Sequence, residues 1–515
     1  MSEPAHPKGS PAEHHEDMTA LVKGGRTNTL GFLLRLLGGI PFLFIGYRLY
    51  GVEEMGRFAS AVVVVELFAL ICALGEKRGL AQRLTHGVED DGERPANLVF
   101  DGILASLTVS TLVVTLLLIF PYPIFPNGMS GPYDILIIAA IPAFALTEIL
   151  LAAQAYKFDI ATTVRARAIV EPWTRSIAVA AFFFIPALND GGVALAYLAA
   201  VYAALLTAAW PFLKSYGLPK GWRPRPRYLG GLMSRAFPLA GADVIERGTR
   251  LIDVFLLGLF TSETAVGIYY FAKEIASLPQ KLKTSFEPVL SPVITKNLKT
   301  GNMAAIAQQV RQVGFWIIAL QLGIALALAI PGQAIMGLGG PAIVGGTGAL
   351  ALLLIAEAVA SMAVVSEGVL VYIAKKRNLA ISTGVIVVQA LLTVGLILLV
   401  EHFALDEGYM AAGAAMALLL ALGLSSVIKA HMLKTLLKAP VGNLRLALVW
   451  ATGAAVLVGQ VVILLPEWVE LAFGIPAILA TYGYVIWKRG FGPEDKVLFK
   501  KSTALDIPAN PPPAG

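Results

Sequence analysis

The chain has 515 residues, of which 57% are hydrophobic and only 14% charged, with a mean hydropathy of +0.73. Soluble domains carry about 25% charged residues, so these figures exclude a soluble globular protein and predict an all-α, polytopic membrane protein. The net charge of +6 resides mostly in loops, where it tracks membrane sidedness rather than a nucleic-acid footprint.

Residues 1–27 are polar and His-rich, with no apolar core of a signal peptide. They are expected to form a disordered cytoplasmic tail. The His14-His15 pair has no metal-ligand spacing, and no metal or other cofactor is expected. Cys72 is the only cysteine, so no intramolecular disulfide can form.

A membrane span needs about 20 largely apolar residues. Fourteen candidates follow: 28–50, 56–75, 97–120, 133–155, 168–187, 192–213, 236–260, 266–293, 311–330, 347–373, 379–400, 409–430, 445–466 and 470–487. Lys and Arg cluster in alternate loops, as in 76–96, 156–167, 214–235 and 374–378. The intervening loops hold none, apart from Arg48 and Arg57 at the edges of the first. By the positive-inside rule both termini are then cytoplasmic. No loop is long enough to fold as a separate domain.

A weak repeat joins the two halves. Gly56-Arg57-Phe58 and Gly267-Ile268-Tyr269 each follow acidic residues at the start of an even-numbered span. Span 7 would then restart what span 1 began. The expected plan is an N-lobe (28–213), a basic linker (214–235), a parallel C-lobe (236–430), two extra spans (445–487) and a Pro-rich cytoplasmic tail (488–515). Parallel repeats about an axis along the membrane normal are a transporter architecture.

The stretch 236–260 carries Asp243, Glu246, Arg247, Arg250 and Asp253 in an otherwise apolar span. On one continuous helix they fall within roughly a third of its circumference. A charge facing lipid at mid-bilayer costs at least ~2.5–3.5 kcal/mol, so the stripe is expected to face other helices or a wet cavity. Asp243–Arg247 and Glu246–Arg250 are acid-before-base pairs four residues apart. They suit a structural role as well as a binding one.

Other spans carry Arg35, Glu66, Asp101, Glu148, Arg175, Lys273, Glu274, Lys281, Lys283, Glu287, Glu357 and Glu367. Arg35, Arg175, Lys281 and Lys283 lie close enough to span ends to snorkel. Asp101 is near its boundary. Glu66 and Glu357 have no charged neighbour within a helical turn, which suits either a protonatable coupling site or a protonated structural acid. Pro279, Pro288 and Pro292 make span 8 irregular, as a cavity-lining helix can be. No P-loop, HExxH or nucleophile elbow is present. The expectation is a non-enzyme.

The segments Arg250-Leu251-Ile252-Asp253-Val254-Phe255-Leu256-Leu257-Gly258 and Val266-Gly267-Ile268-Tyr269-Tyr270-x-Ala272, the Pro288–Pro292 exit of span 8 and Gly56-x-Phe58-Ala59 carry a resemblance. With the topology of residues 28–487, the chain resembles the multidrug/oligosaccharidyl-lipid/polysaccharide (MOP) exporter superfamily, in its polysaccharide and O-antigen flippase branch. The resemblance implies two six-helix lobes in a V that face alternately inward and outward. It implies a lipid-linked oligosaccharide on undecaprenyl pyrophosphate as cargo, carrying O-antigen or exopolysaccharide repeat units, with an ion gradient driving return.

Carried onto this chain, Arg35, Arg247, Arg250 and Lys273 become head-group binders. Asp243, Glu246, Asp253, Glu66, Glu274 and Glu357 become charge-balancing or ion-coupling acids. Membrane lipids, a polysaccharide polymerase and assembly proteins are the further candidate partners, and a bacterial inner membrane the expected location. The span-7 stripe departs from a simply cationic lumen, because it holds more acid than base. A multidrug or organic-cation antiporter of the same superfamily is therefore the first alternative. A membrane-embedded glycan polymerase or ligase is less favoured, because the outer loops are short.

Overall fold

In the computed structural model, residues 34–35, 37–89, 94–224, 226–248, 250–283, 298 and 303–492 are described. Among them the only regular structure is helical. The first half comprises α1 (Leu37–Leu49), α2 (Gly51–Cys72), α3 (Glu76–Glu89), α4 (Pro95–Ile119), α5 (Asp134–Tyr156), α6 (Glu171–Phe183) and α7 (Gly192–Tyr216). A π-helical stretch, Val164–Val170, leads into α6. The second half comprises α8 (Pro226–Gly248), α9 (Ile252–Phe260), α10 (Glu263–Lys283), α11 (Met303–Ala329), α12 (Gly332–Gly339), α13 (Pro341–Ile373), α14 (Lys375–His402) and α15 (Glu407–Leu437). Two more helices close the chain, α16 (Leu446–Val462) and α17 (Glu467–Gly490).

Nine of these helices are long and apolar enough to cross a membrane, and two shorter apolar helices, α1 and α16, accompany them. Among the described residues, a helix overlaps each of the fourteen expected spans, while 28–33 and 284–293 lie outside them. Boundaries follow local chemistry. Pro95 opens α4, where its missing N–H is an orphan anyway. α7 runs between Gly191 (φ +85°) and Gly217 (φ +72°), two left-handed positions that suit glycine.

The halves meet along α2 and α10. Gly56 and Gly267 let those backbones touch. A Cβ on Gly56 would strike the Glu263 carbonyl, and one on Gly267 would strike the Val52 carbonyl. With Gly56 aligned to Gly267, Val52 aligns with Glu263. The two contacts are therefore exchanged by a pseudo-twofold relation, which gives the weak sequence repeat a geometric basis. Small residues at crossings are how membrane helices approach closely.

Above the glycines lies an aromatic seam contributed by both halves. Phe271 meets the ring edges of Phe44 and Tyr47, and Phe58 meets Phe42, Tyr197 and Tyr270. Each such pair contributes about 0.5–1.5 kcal/mol beyond its burial.

At one end of the bundle Arg57 of α2 ties to Glu263 of α10, its Nε donating to Oε1 at 2.9 Å. The same guanidinium donates to Glu54 at 2.6 Å and also to Ser130. Arg48 donates to the Leu338 and Gly337 carbonyls at the end of α12, at 2.9 and 3.1 Å. Asn127 donates to the Thr261 carbonyl at 3.0 Å.

At the other end Leu232 of α8 packs against Leu74 and Ala105. There the linker is pinned to the first half. Trp222 donates to Asp101 at 2.8 Å, and its ring meets Phe100. Asp101 is fully buried, and this bond accounts for a carboxyl near the boundary of its span.

Candidate functional site

Span 7 is not the single helix that its length predicts. α8 ends at Gly248 and α9 begins at Ile252. Between them the Arg250 N–H turns back to the Arg247 carbonyl at 2.9 Å, and the Leu251 N–H to the Gly248 carbonyl at 3.0 Å. The break redistributes the charged stripe. Arg247 stands on the last turn of α8, Arg250 in the break, and Asp253 on the first turn of α9. A broken helix frees backbone carbonyls, which at membrane depth must find donors. Here Lys273 of α10 supplies one, donating Nζ to the Arg250 carbonyl.

Lys273 also pairs with Asp253 at 2.6 Å. Asp253 is fully buried and further accepts from the Tyr269 hydroxyl at 2.5 Å and the Val254 N–H at 2.8 Å. Arg250 presents both ends of its fork to Glu357 of α13. Nη1 reaches Oε1, and Nη2 lies 3.2 Å from Oε2. Two-pronged Arg–carboxylate pairs are among the stronger charged contacts. These bonds bind α9, α10 and α13 into one unit, inside which charges cancel.

This corrects one sequence-based expectation. Glu357 is not isolated but pairs with Arg250, and the expected Glu246–Arg250 pairing falls on a side chain outside the described residues. The partner of Glu357 comes from another helix, which a reading of neighbours along one helix does not include.

A second cluster lies in the first half. Arg167, in the π-helical stretch, is held by Glu148 at 2.5 Å and Glu171 at 2.7 Å, and stacks over the Phe144 ring. Arg175 sits over the Phe42 ring, and its buried Nε has no hydrogen-bond partner. The buried Tyr197 hydroxyl has none either. Glu66, on α2, is partly exposed and within electrostatic reach of Glu171, Arg247, Arg175 and Arg167. Arg247 is exposed and makes no hydrogen bond or ion pair among the described residues. It faces this cluster from the opposite half.

The remaining expected residues are placed as follows. Arg35 is exposed, without an ion pair among the described residues. Glu274 faces Tyr47 and Tyr270. Glu367 pairs with the buried Lys429 at 2.8 Å. The side chains of Asp243, Glu246, Lys281 and Lys283 lie outside the described residues, as do Glu287, Pro288 and Pro292. The expected Asp243–Arg247 pairing falls there too.

Sequence reasoning did not single out the Arg57–Glu263 bond or the Arg167 cluster. Arg57 and Arg48 did carry a signal, as the two bases that break the sidedness pattern. Both reach across to the other half of the chain.

Comparison with known proteins follows this geometry. The structure is similar to the lipid II flippase MurJ in an inward closed conformation, at 12% identity over 91% of this chain and 99% of that chain, with a TM-score of 0.65. It is similar to an outward-facing multidrug resistance MATE family transporter of the MOP superfamily, at 14% identity over 82% and 96%, with a TM-score of 0.54. A MATE protein in the bent conformation matches at 15% identity over 81% and 96%, with a TM-score of 0.52. At such identities these likenesses establish the fold. No curated protein matches by sequence. A family model described as polysaccharide biosynthesis protein matches residues 21–298, more than half of the chain. With a fold shared with these multi-pass membrane proteins, the chain belongs to the polysaccharide biosynthesis protein family.

Proposed function

We propose that this protein is a flippase that moves an undecaprenyl-pyrophosphate-linked oligosaccharide, an O-antigen or exopolysaccharide repeat unit, across a bacterial inner membrane by alternating access, coupled to an ion gradient. The Trp222 end of the bundle is then cytoplasmic and the Arg57 end faces outward, in keeping with the distribution of Lys and Arg. The lobes are 28–213 and 236–430, joined by the 214–235 linker, with 445–487 as accessory spans.

One observation carries the reading. Asp253, Glu357, Glu148 and Glu171 are each held by a base, while among the described residues Arg247 and Arg175 have no ion pair. That arrangement ties up Asp253 of the span-7 stripe and leaves donors suited to phosphate oxygens. Arg247 and Arg175 are therefore the primary head-group contacts, with Arg35 nearer the entry. Arg250 and Lys273 hold the site in shape.

The test is complementation of a flippase-deficient strain, with membrane protein levels matched. Arg247→Ala should strand the lipid-linked glycan on the cytoplasmic leaflet, and Arg247→Lys should restore part of the export. Normal export by Arg247→Ala would remove the flippase reading and bring the drug-exporter reading forward.

A further inference from the structure

Of the acids that the sequence offers for coupling, Asp253 is saturated by Lys273, Tyr269 and the Val254 N–H, and Glu357 by Arg250. Glu66 differs from both. It has no hydrogen bond or ion pair among the described residues. It lies within two turns of the Cys72 end of α2. Among the described residues, the charged and titratable groups facing it are Arg167, Glu171 and Arg175 from span 5, Tyr197 from α7, Tyr270 from α10 and Arg247 from α8.

Two of these neighbours, the Arg175 Nε and the Tyr197 hydroxyl, are buried with unmet hydrogen bonds. Buried polar atoms without protein partners mark places that water or an ion fills. Arg247 is the only cation of the set from the opposite half of the chain, and it too has no partner among the described residues.

We infer that Glu66 and the cargo's diphosphate compete for Arg247, so that cargo binding is accompanied by protonation of Glu66. The inference rests on the flippase reading above. Without cargo, the Glu66 carboxylate balances Arg247 across the cleft. A bound diphosphate takes the guanidinium and places new negative charge beside a carboxylate that already faces Glu171. Glu66 then takes one proton from a solvent hydronium ion; an O–H bond forms on the carboxylate as one breaks on the hydronium, which leaves as neutral water. The proton so bound travels with the cargo and not against it. Because a diphosphate carries more than one negative charge, the loaded carrier still exports net negative charge, which an inside-negative membrane potential favours.

The experiment uses the full-length protein in lipid nanodiscs with undecaprenyl diphosphate as the probe. Calorimetric titration in buffers of different ionisation enthalpy gives the protons taken up per ligand bound. The difference from Glu66→Gln cancels the ligand's own proton. Wild type should take up about one proton more than Glu66→Gln, and its affinity should fall about tenfold per pH unit once Glu66 is ionised, relative to that variant. Glu66→Asp should retain the uptake. A protonated-carboxyl band should rise in the infrared difference spectrum of the wild type on binding, a readout that needs no variant. Equal uptake in wild type and Glu66→Gln, or no carboxyl band, would overturn the inference while leaving the flippase reading intact. Failure of the wild type to bind the probe would overturn both.

Discussion

Arg57 of α2 and Glu263 of α10 join the two halves of the chain at one end, and Glu54 and Ser130 hold the same guanidinium from the first half. The pair is mostly buried, with side-chain exposures of 15% and 17%. A hydrogen bond to a charged group contributes about 1.5–3 kcal/mol net. Arg57→Ala should therefore shift the balance toward states open at this end. Spin labels at the exposed Met129 and Tyr409 should report longer, broader distances. Glu263→Gln should act in the same direction and more weakly. Unchanged distances in both variants would reduce the bond to surface decoration.

The two arginines of span 7 should part company in a stability assay. Arg250 is engaged by Glu357, whereas Arg247 is exposed and has no ion pair among the described residues. Breaking a buried pair from one side costs about 3–5 kcal/mol, while an exposed unpaired residue stays within about 0.5 kcal/mol. Because Arg250 is itself partly exposed, with 29% of its side chain accessible, Arg250→Ala should fall at or below the lower end of that range. Thermal unfolding in detergent should show a clear loss for Arg250→Ala and none for Arg247→Ala. Equal losses would mean that Arg247 has a structural partner.

Gly267→Val should fail by collision. A Cβ there meets the Val52 carbonyl, which is backbone and cannot swing aside. Overpacking costs about 1–3 kcal/mol where side chains can yield, and more where they cannot. The variant should insert poorly or unfold at lower temperature, whereas Gly453→Ala, at a position with open space around it, should be silent.

Glu76, outside the spans, predicts a pH dependence. Burial pushes its carboxyl above the ordinary value of 4.5, and Arg83, bonded to it at 2.5 Å, pulls the other way without cancelling the effect. A carboxyl raised in the folded state holds its proton longer there than in the unfolded chain. Its contribution to stability therefore falls as pH rises from 4.5 to the raised value. Thermal midpoints measured across that window should decline in the wild type relative to Glu76→Gln. A wild-type curve parallel to the variant's would show that the carboxyl is not raised.

The spans were legible because a bilayer demands long apolar runs. The repeat was faint in sequence, since only two glycines and their neighbours must match for α2 and α10 to touch. The site was legible as composition but not as pairing. Arg250 lies 107 positions from Glu357, and no local spacing encodes that approach. The break before Ile252 was hidden for a similar reason. Its freed carbonyl is satisfied by Lys273, a residue on the next span that reads as one more charge. Asp101 was hidden too, because its partner Trp222 belongs to a linker that looks like a simple tether.

The exchanged contacts of Gly56 with Glu263 and of Gly267 with Val52 are those of an isologous interface, in which one patch meets its own copy. The contacts lie on α2 and α10 themselves and do not involve the linker. Two separately translated halves, cut in the linker after Trp222, thus retain the means to find each other in the membrane and assemble into the native pair.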